Sequence, residues 1–266
     1  MAELQVLVAT MHCRDWTVID NMNLGCSAVI ANQTDREEIA LRQTPQGEWK
    51  MISTATAGVG VNRNIALLAA EGDIVLFADD DLVYYDGMRE GVLAAFEAQP
   101  DADVILFGID ILRGGKVTER RHLPRKRRHV WDSMRFGTVT MAARREAILR
   151  NNILFNLNFG GGCMYSAGED SLFLKACFDR GLKVYSHDFV LGTCCKDTSS
   201  WFTAYNEKYF YDKGALMAYL FPRMPYFMGL YFGARFKRET DVPLLRRIRL
   251  VFAGIRGGRK LRPYKN

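Results

Sequence analysis

The chain has 266 residues, 48% of them hydrophobic, and a formal charge of +6. That length and apolar share can bury a sizeable core and suit one α/β domain. Met1-Ala2-Glu3-Leu4 enters an apolar segment with no basic region ahead of it, so no secretory leader is expected. No stretch approaches the roughly 18 uninterrupted apolar residues of a membrane-spanning helix. Cys13, Cys26, Cys163, Cys177, Cys194 and Cys195 show no CxxC or CxH spacing, which excludes the common zinc patterns and points to reduced thiols in a cytoplasm. The charge is unevenly placed. From Arg235 to Asn266, eleven Lys and Arg face Glu239 and Asp241, a local +9 that leaves −3 for the rest. An acidic body with a basic tail differs from a uniformly basic nucleic-acid binder.

Leu4 to Thr10 reads as a buried opening strand, Ser27 to Ala31 as a second, and Trp49 to Ser53 as a short third. Gly58 to Ala70 has helical spacing, with Val61, Ile65, Leu68 and Ala69 on one side and Gly72 as a stop. Asp73 to Ala78 is a short apolar run suited to a central strand buried on both faces, and it ends at Asp79-Asp80-Asp81. A helix from Asp86 to Gln99 and a strand from Val104 to Gly108 follow. Strands alternating with helices imply a doubly wound, mostly parallel sheet flanked by helices, with ligands at the carboxyl ends of the strands. Beyond lie an Arg/Lys-rich loop (Arg120 to His129), a strand-like segment from Gly137 and a helix from Ala143 to Arg150. The glycine loop Gly160 to Gly162 leads to a helix from about Glu169 to Arg180, capped by Gly181. After Lys183 to Tyr185 the chain turns aromatic and helical from Ser199. The expected organisation is a catalytic domain over 1–198, nucleotide-binding to about 108 and acceptor-binding thereafter, with a helical basic appendage over 199–266.

Three consecutive carboxylates after an apolar strand repel one another, and a divalent cation removes that penalty. Mg²⁺ and Mn²⁺ take oxygen ligands, few of them protein carboxylates, and fill the remaining positions with substrate phosphate oxygens. Residues two apart can point the same way, so Asp79 and Asp81 are candidate ligands of one ion. An acidic helix start or solvated turn is the competing reading. The second acidic site is Glu169-Asp170. Ser166 to Glu169 matches a capping box, which would leave Glu169 holding the helix start and Asp170 complementing the helix dipole. The functional reading makes Asp170 a general base on a rigid helix start, and the two readings are compatible.

Val61 to Asp81 (VNRNIALLAAEGDIVLFADDD) and Gly168 to Gly181 (GEDSLFLKACFDRG) together resemble, in order and spacing, family-2 GT-A glycosyltransferases. The likeness spans roughly residues 4 to 190, and two matched acidic motifs in order are more specific than either alone. It implies an inverting, nucleotide-sugar-dependent enzyme, usually using a UDP-sugar, with Mn²⁺ or Mg²⁺ on the donor diphosphate. Thr10 and Asn32 match the nucleotide-contacting strand ends, Arg63 and Asn64 the family's Arg-Asn pair, Asp79 and Asp81 the DxD metal motif with Asp80 on the donor side, and Asp170, beside Glu169, the base. Where the family often has Asp-Asp-Gly-Ser after the second strand, this chain has Asn32-Gln33-Thr34-Asp35, so either Asn32 or Asp35 is expected to meet the nucleotide base. His187 falls where related enzymes sometimes supply a further metal ligand, against the commoner structural role of a lone histidine.

The run Arg120, Arg121, Arg125, Lys126, Arg127 and Arg128 is a solvated loop or a grip on phosphate. Trp201, Phe202 and Tyr205 read as core rather than a sugar platform. Phe221 to Phe236 is dense in Phe, Tyr and Met. Leu244, Leu245, Ile248, Val251 and Phe252 share one helical side, with Arg246, Arg247 and Arg249 on the other. That amphipathic pattern suits an anionic membrane surface or packing on the domain. The expected partners are a nucleotide-sugar and a saccharide or lipid-linked acceptor in cell-envelope assembly, at the inner face of the membrane. The main alternative enzyme is a sugar nucleotidyltransferase, but Thr10 to Arg14 is no lysine-bearing triphosphate loop. A nucleic-acid-binding protein would have no need of the acidic triplet, and a catalytically inactive scaffold is a further alternative.

Overall fold

The computed structural model describes residues 2–195, 205–235, 240–262 and 264. Trp201, Phe202 and Phe236 lie outside the described residues. The first half of the chain supplies β1 (Leu4–Met11), α1 (Thr17–Asp20), β2 (Ser27–Gln33), β3 (Glu38–Thr44), β4 (Gly47–Thr54), α2 (Val59–Ala69), β5 (Ile74–Asp79), β6 (Leu82–Tyr84) and α3 (Met88–Ala98). The second half supplies β7 (Val104–Arg113), β8 (Lys116–Arg121), β9 (Lys126–Arg127), β10 (Met141–Arg144), α4 (Arg145–Arg150), α5 (Glu169–Asp179) and β11 (Val184–Cys195). Three further helices close the chain: α6 (Glu207–Leu220), α7 (Pro225–Arg235) and α8 (Leu244–Gly258). Two 3₁₀ turns, Val130–Asp132 and Thr138–Thr140, precede β10.

Among the described residues the strands form one sheet in the order β3-β4-β2-β1-β5-β10-β7-β11-β6, with β8 on β7 and β9 on β11. The pairs β4–β2, β2–β1, β1–β5 and β7–β11 are parallel. Strands β1 and β5 are apolar along their length because both faces are covered. Leu4, Val6 and Val8 face one core with α1 and α3, while Leu7 and Phe77 face a second with α2 and α5. The antiparallel β10 lies between β5 and β7. It brings the Thr138–Thr140 turn against β5.

Several expectations are revised. The edge strand β3 pairs antiparallel to β4 through a tight turn. Its Ile39 and Leu41 stay 68% and 59% exposed, so the usual alternation of core and solvent gave no signal. The basic stretch after Gly115 is largely paired as β8 and β9. Its Arg128 is buried, with Nε donating to Ser186 Oγ at 2.8 Å and its guanidinium over Phe136. Helix α2 turns Gly60, Asn62, Arg63, Ala66 and Leu67 inward, whereas Leu68 is 62% exposed. The buried face therefore includes two polar residues, and the site explains them.

The C-terminal helices make a third core with Phe159 and Tyr165. Helix α8 buries Leu250, Val251 and Ile255, while Leu244 and Leu245 remain exposed, so the amphipathic face splits between packing and solvent. Arg247, expected on the solvated side, is buried with its guanidinium over Phe210. Helices α6 and α8 meet backbone to backbone. A Cβ on Gly214 would sit 2.0 Å from the Val251 carbonyl oxygen, and one on Gly254 would sit 1.9 Å from that of Tyr211. Forcing extra atoms into such a contact typically costs about 1–3 kcal/mol. Gly254→Ala is expected to lower the urea-unfolding free energy by at least that order. An unchanged midpoint would mean that the helices do not cross so closely.

Candidate active site

A cleft of about 460 Å³ opens where β1 and β5 end, between the first turns of α2 and α5. Its lining includes Thr10, Gln33, Asn62, Arg63, Asp79, Asp80, Asp81, Glu169 and Asp170. Residues from the chain's two halves meet here because parallel strands end on one edge of the sheet.

At its floor lies the Arg63 guanidinium, its side chain 5% exposed. Nη2 donates to Asp79 Oδ1 at 2.8 Å, and Nη1 donates to Glu169 Oε1 at 3.0 Å and Asp170 Oδ1 at 3.1 Å. Beneath, Arg63 rests over the Phe155 ring, which stacks on Phe173 at 4.2 Å. Burial alone would pull the Arg63 pKa down. Asp79, Asp170 and Glu169 more than offset it and hold the group above its ordinary value. Burial first, then the charge of Asp170, pushes the Glu169 carboxyl up to about 7 against the pull of Arg63. Asp170 is more accessible, at 30% against 11% for Glu169, and Oδ1 also accepts from Thr138 Oγ1 at 2.6 Å.

The helix start holding this pair is not a capping box. Gly168 is the N-cap, so Glu169 opens the helix instead of standing three residues in. Its Oε2 accepts from the Gly168 amide at 3.0 Å. Ser166 turns away to Asp212 of α6, which accepts from its amide and its hydroxyl. Gly168 has φ +125°, and a Cβ there would lie 2.6 Å from Leu216 Cδ1.

In the triplet, Asp79 faces Arg63. Asp80 accepts from Thr10 Oγ1, and its carboxyl is raised by burial, lowered by that bond and raised again by Asp79. Asp81 accepts from the Cys194 thiol at 3.4 Å and, through its carbonyl, from the Cys195 amide.

Four expected site residues stand elsewhere. Asn32 is fully buried, with its amide bonded to both the N–H and C=O of Cys13 and to Ser53. It shapes the loop after β1, and Gln33 is the neighbour that lines the cleft. Asp35 is exposed and bonded to Thr34, outside the lining. Asn64 donates to the Phe155 carbonyl and accepts from its amide, clamping that loop to α2. His187 lines a separate hollow of about 170 Å³ with Arg125 and Tyr185. Along β11 it is Cys194 that reaches Asp81, while His187 lies near the far end of the strand, beside Ser186, which pairs with Leu106 where Cys194 pairs with Ile111. His187 is therefore removed from the metal candidates. Burial first, then Arg125, lowers its pKa.

Thr138, Asn62 and Lys213 were not among the expected site residues. Asn62 Nδ2 donates to the Thr10 carbonyl, and its buried Oδ1 has no partner among the described residues. Lys213 of α6 is half-buried. Burial lowers its pKa by more than the charges of Glu169, Asp170 and Asp212 raise it, so α6 is electrostatically linked to the acidic site. Among the described residues, no three His, Cys, Asp or Glu groups are arranged to hold a metal ion by themselves. Carboxylates flanking an open cleft do fit an ion that takes most of its oxygens from a bound diphosphate.

The raised Glu169 pKa carries a sign. Between its ordinary 4.5 and about 7, the unfolded chain has released a proton that the fold retains, so stability falls as pH rises. Glu169→Gln removes that contribution. Urea unfolding from pH 5 to pH 7 is expected to show a shallower fall in the variant than in the wild type. Parallel slopes would remove the perturbed carboxyl from the account.

Comparison with known proteins agrees with this architecture. Residues 31–163, half of the chain, match the family model of glycosyl transferase family 2. No curated protein sequence matches the chain. The crystal structure of S. aureus TarS 1–349 is similar with a TM-score of 0.59 at 14% identity, covering 95% of this chain and 70% of that one. The same S. aureus protein in complex with UDP-GlcNAc gives 0.60 at 16%, covering 95% and 71%, and in complex with UDP 0.59 at 15%, covering 96% and 71%. At these identities the likeness is one of fold, a GT-A fold with a mostly parallel sheet flanked by helices. With residues 31–163 matched, half of its length, the chain belongs to glycosyl transferase family 2.

Proposed function

We propose that the protein transfers a sugar, with inversion, from a UDP-sugar to a hydroxyl of a saccharide or lipid-linked acceptor, with Asp170 as the base. The observation that carries this is the meeting of Asp79 to Asp81 with Asp170 in one cleft, across a shared arginine. The S. aureus TarS structures with UDP and UDP-GlcNAc, alike in fold, support a uridine nucleotide as the donor handle. Assembly of a cell-envelope polysaccharide or glycolipid at the inner membrane face is the proposed setting. There the basic segment 235–266 would favour an anionic surface.

Asp79 and Asp81 would hold Mn²⁺ or Mg²⁺, which, when bound, offsets negative charge on a diphosphate leaving group. The remaining work falls to the chain's own residues. Thr10, Gln33 and Asn62, which line the cleft, would border the nucleotide. Asp170 takes the proton of the acceptor hydroxyl as that oxygen bonds to the anomeric carbon. The bond from that carbon to the diphosphate oxygen breaks, and UDP leaves. Arg63 and Thr138 both donate to Asp170 Oδ1, which fixes the carboxylate in place. Glu169, less accessible than Asp170, is suited to positioning Arg63 rather than meeting the acceptor hydroxyl.

A positioned base contributes typically about 10²–10⁴-fold. Asp170→Asn is expected to lower kcat by that order while UDP-sugar affinity stays near wild type, the pattern of an interaction made in the transition state. Single-turnover kinetics with a donor found by thermal shift checks this. The screen covers UDP-, GDP- and dTDP-sugars, and a ligand at a hundredfold excess over Kd stabilises by about 2.7 kcal/mol. Unchanged turnover in Asp170→Asn would contradict the assignment.

A further inference from the structure

Helix α7 has two apolar faces, and only one is covered. Pro225, Gly229, Phe232 and Gly233 are buried. A Cβ on Gly229 would meet Val251 and Ile255 of α8 at 2.8 and 3.0 Å, so this is the packed side. At helical spacing the opposite side carries Met224, Phe227, Leu230 and Tyr231. These are 43%, 66%, 46% and 61% exposed. The helix contains no acidic residue. Trp131, 65% exposed, stacks on Phe221 just ahead of the helix and extends the patch.

The rim is cationic. Exposed Arg223 and Arg235 flank the helix, and Arg259 lies over the Tyr226 ring. Neither Arg223 nor Arg235 makes an ion pair with a described residue. An apolar stripe with aromatic residues and arginines at its margins is complementary to the interface of an anionic bilayer, where rings enter the headgroup boundary and cations meet phosphates. A second copy of the same face would bring like charges together. At about 1.5 Å per residue, the eleven residues of α7 reach about 16 Å, too short to cross a bilayer of about 30 Å. No described helix is long and apolar enough to span.

We propose that the outward face of α7 inserts into the headgroup region of an anionic lipid surface. This deepens the membrane setting proposed above and rests on it for its purpose. Helix α6, whose Asp212 accepts from Ser166 in the cleft lining, runs at its other end into α7, so lipid contact would orient the cleft toward a lipid-linked acceptor. The seat is then not the amphipathic side of α8, much of which faces α6 and α7.

Flotation of the full chain without nucleotide tests it, using vesicles of phosphatidylcholine alone and of equimolar phosphatidylcholine and phosphatidylglycerol. Wild type is expected to float with the anionic vesicles and little with the neutral ones. The double variant Phe227→Ser/Leu230→Ser, altered only at exposed positions, is expected to lose about tenfold in bound fraction at unchanged thermal midpoint, as two large side chains leave the interface. Phe227→Trp is expected to shift its indole emission to the blue when anionic vesicles are added. Undiminished flotation of the double variant would place binding on the basic segment alone and overturn the α7 assignment. Failure of wild type to float would overturn the membrane setting as well. Dimerisation of wild type abolished by the same substitutions would assign the face to a second copy. None of these outcomes depends on whether Asp170 is the base.

Discussion

One buried arginine holds the site together. Arg63 reaches the end of β5 through Asp79 and the start of α5 through Glu169 and Asp170, three carboxylates on two elements that are far apart in sequence. Taking these charges out of water is unfavourable, and their pairing offsets it only while the geometry is kept. Removing one member of a buried pair typically costs about 3–5 kcal/mol, because the charge left behind is uncompensated. A guanidinium suits the position better than an ammonium: its planar fork serves several acceptors at once, and its face lies on Phe155. The aromatic stack of Phe155 on Phe173, edge-on to Phe77, in turn ties that support to β5 and α5. The electrostatics of the cleft and the packing of the second core are thus one arrangement.

That arrangement also divides labour between adjacent acids. Glu169 and Asp170 both touch Arg63 Nη1, yet burial separates them. Glu169 is pushed up to about 7 and braces the Gly168 amide, while the more open Asp170 is held by Thr138. Lys213 of α6 interacts electrostatically with Glu169 and Asp170, so the C-terminal helices contribute to the electrostatics of the site. Their close packing follows from glycine: Gly214 and Gly254 let α6 and α8 approach to backbone contact. Covering one side of α7 by that bundle is what leaves its other apolar side outward.

Much of this was legible from residue pattern. Apolar runs at β1, β2 and β5, each ending in polar residues, located the sheet edge, and two acidic motifs in order located the cleft. The failures share a cause. Asn32 and Asn64 were read as ligand contacts because of where they fall in sequence, but a side-chain amide can also replace missing backbone partners, and both do so. The buried face of α2 was misjudged because apolar spacing counts Leu68 as inward and says nothing of Arg63, which paired acids allow to be buried. Ser166 fitted a capping pattern, yet Asp212, nearly fifty residues later, claims it. Thr138 and Lys213 carry no local signal; only the sheet order and the return of α6 bring them to Asp170.

The central claim is that the acidic triplet beside Arg63 holds the donor diphosphate through a divalent ion. Calorimetric titration of UDP in Mn²⁺ and in EDTA, for wild type and Asp81→Asn, tests it most directly. The account predicts binding in Mn²⁺ that is lost in EDTA, with Asp81→Asn in Mn²⁺ behaving as wild type does in EDTA. Equal UDP affinity for wild type in the two conditions would contradict it.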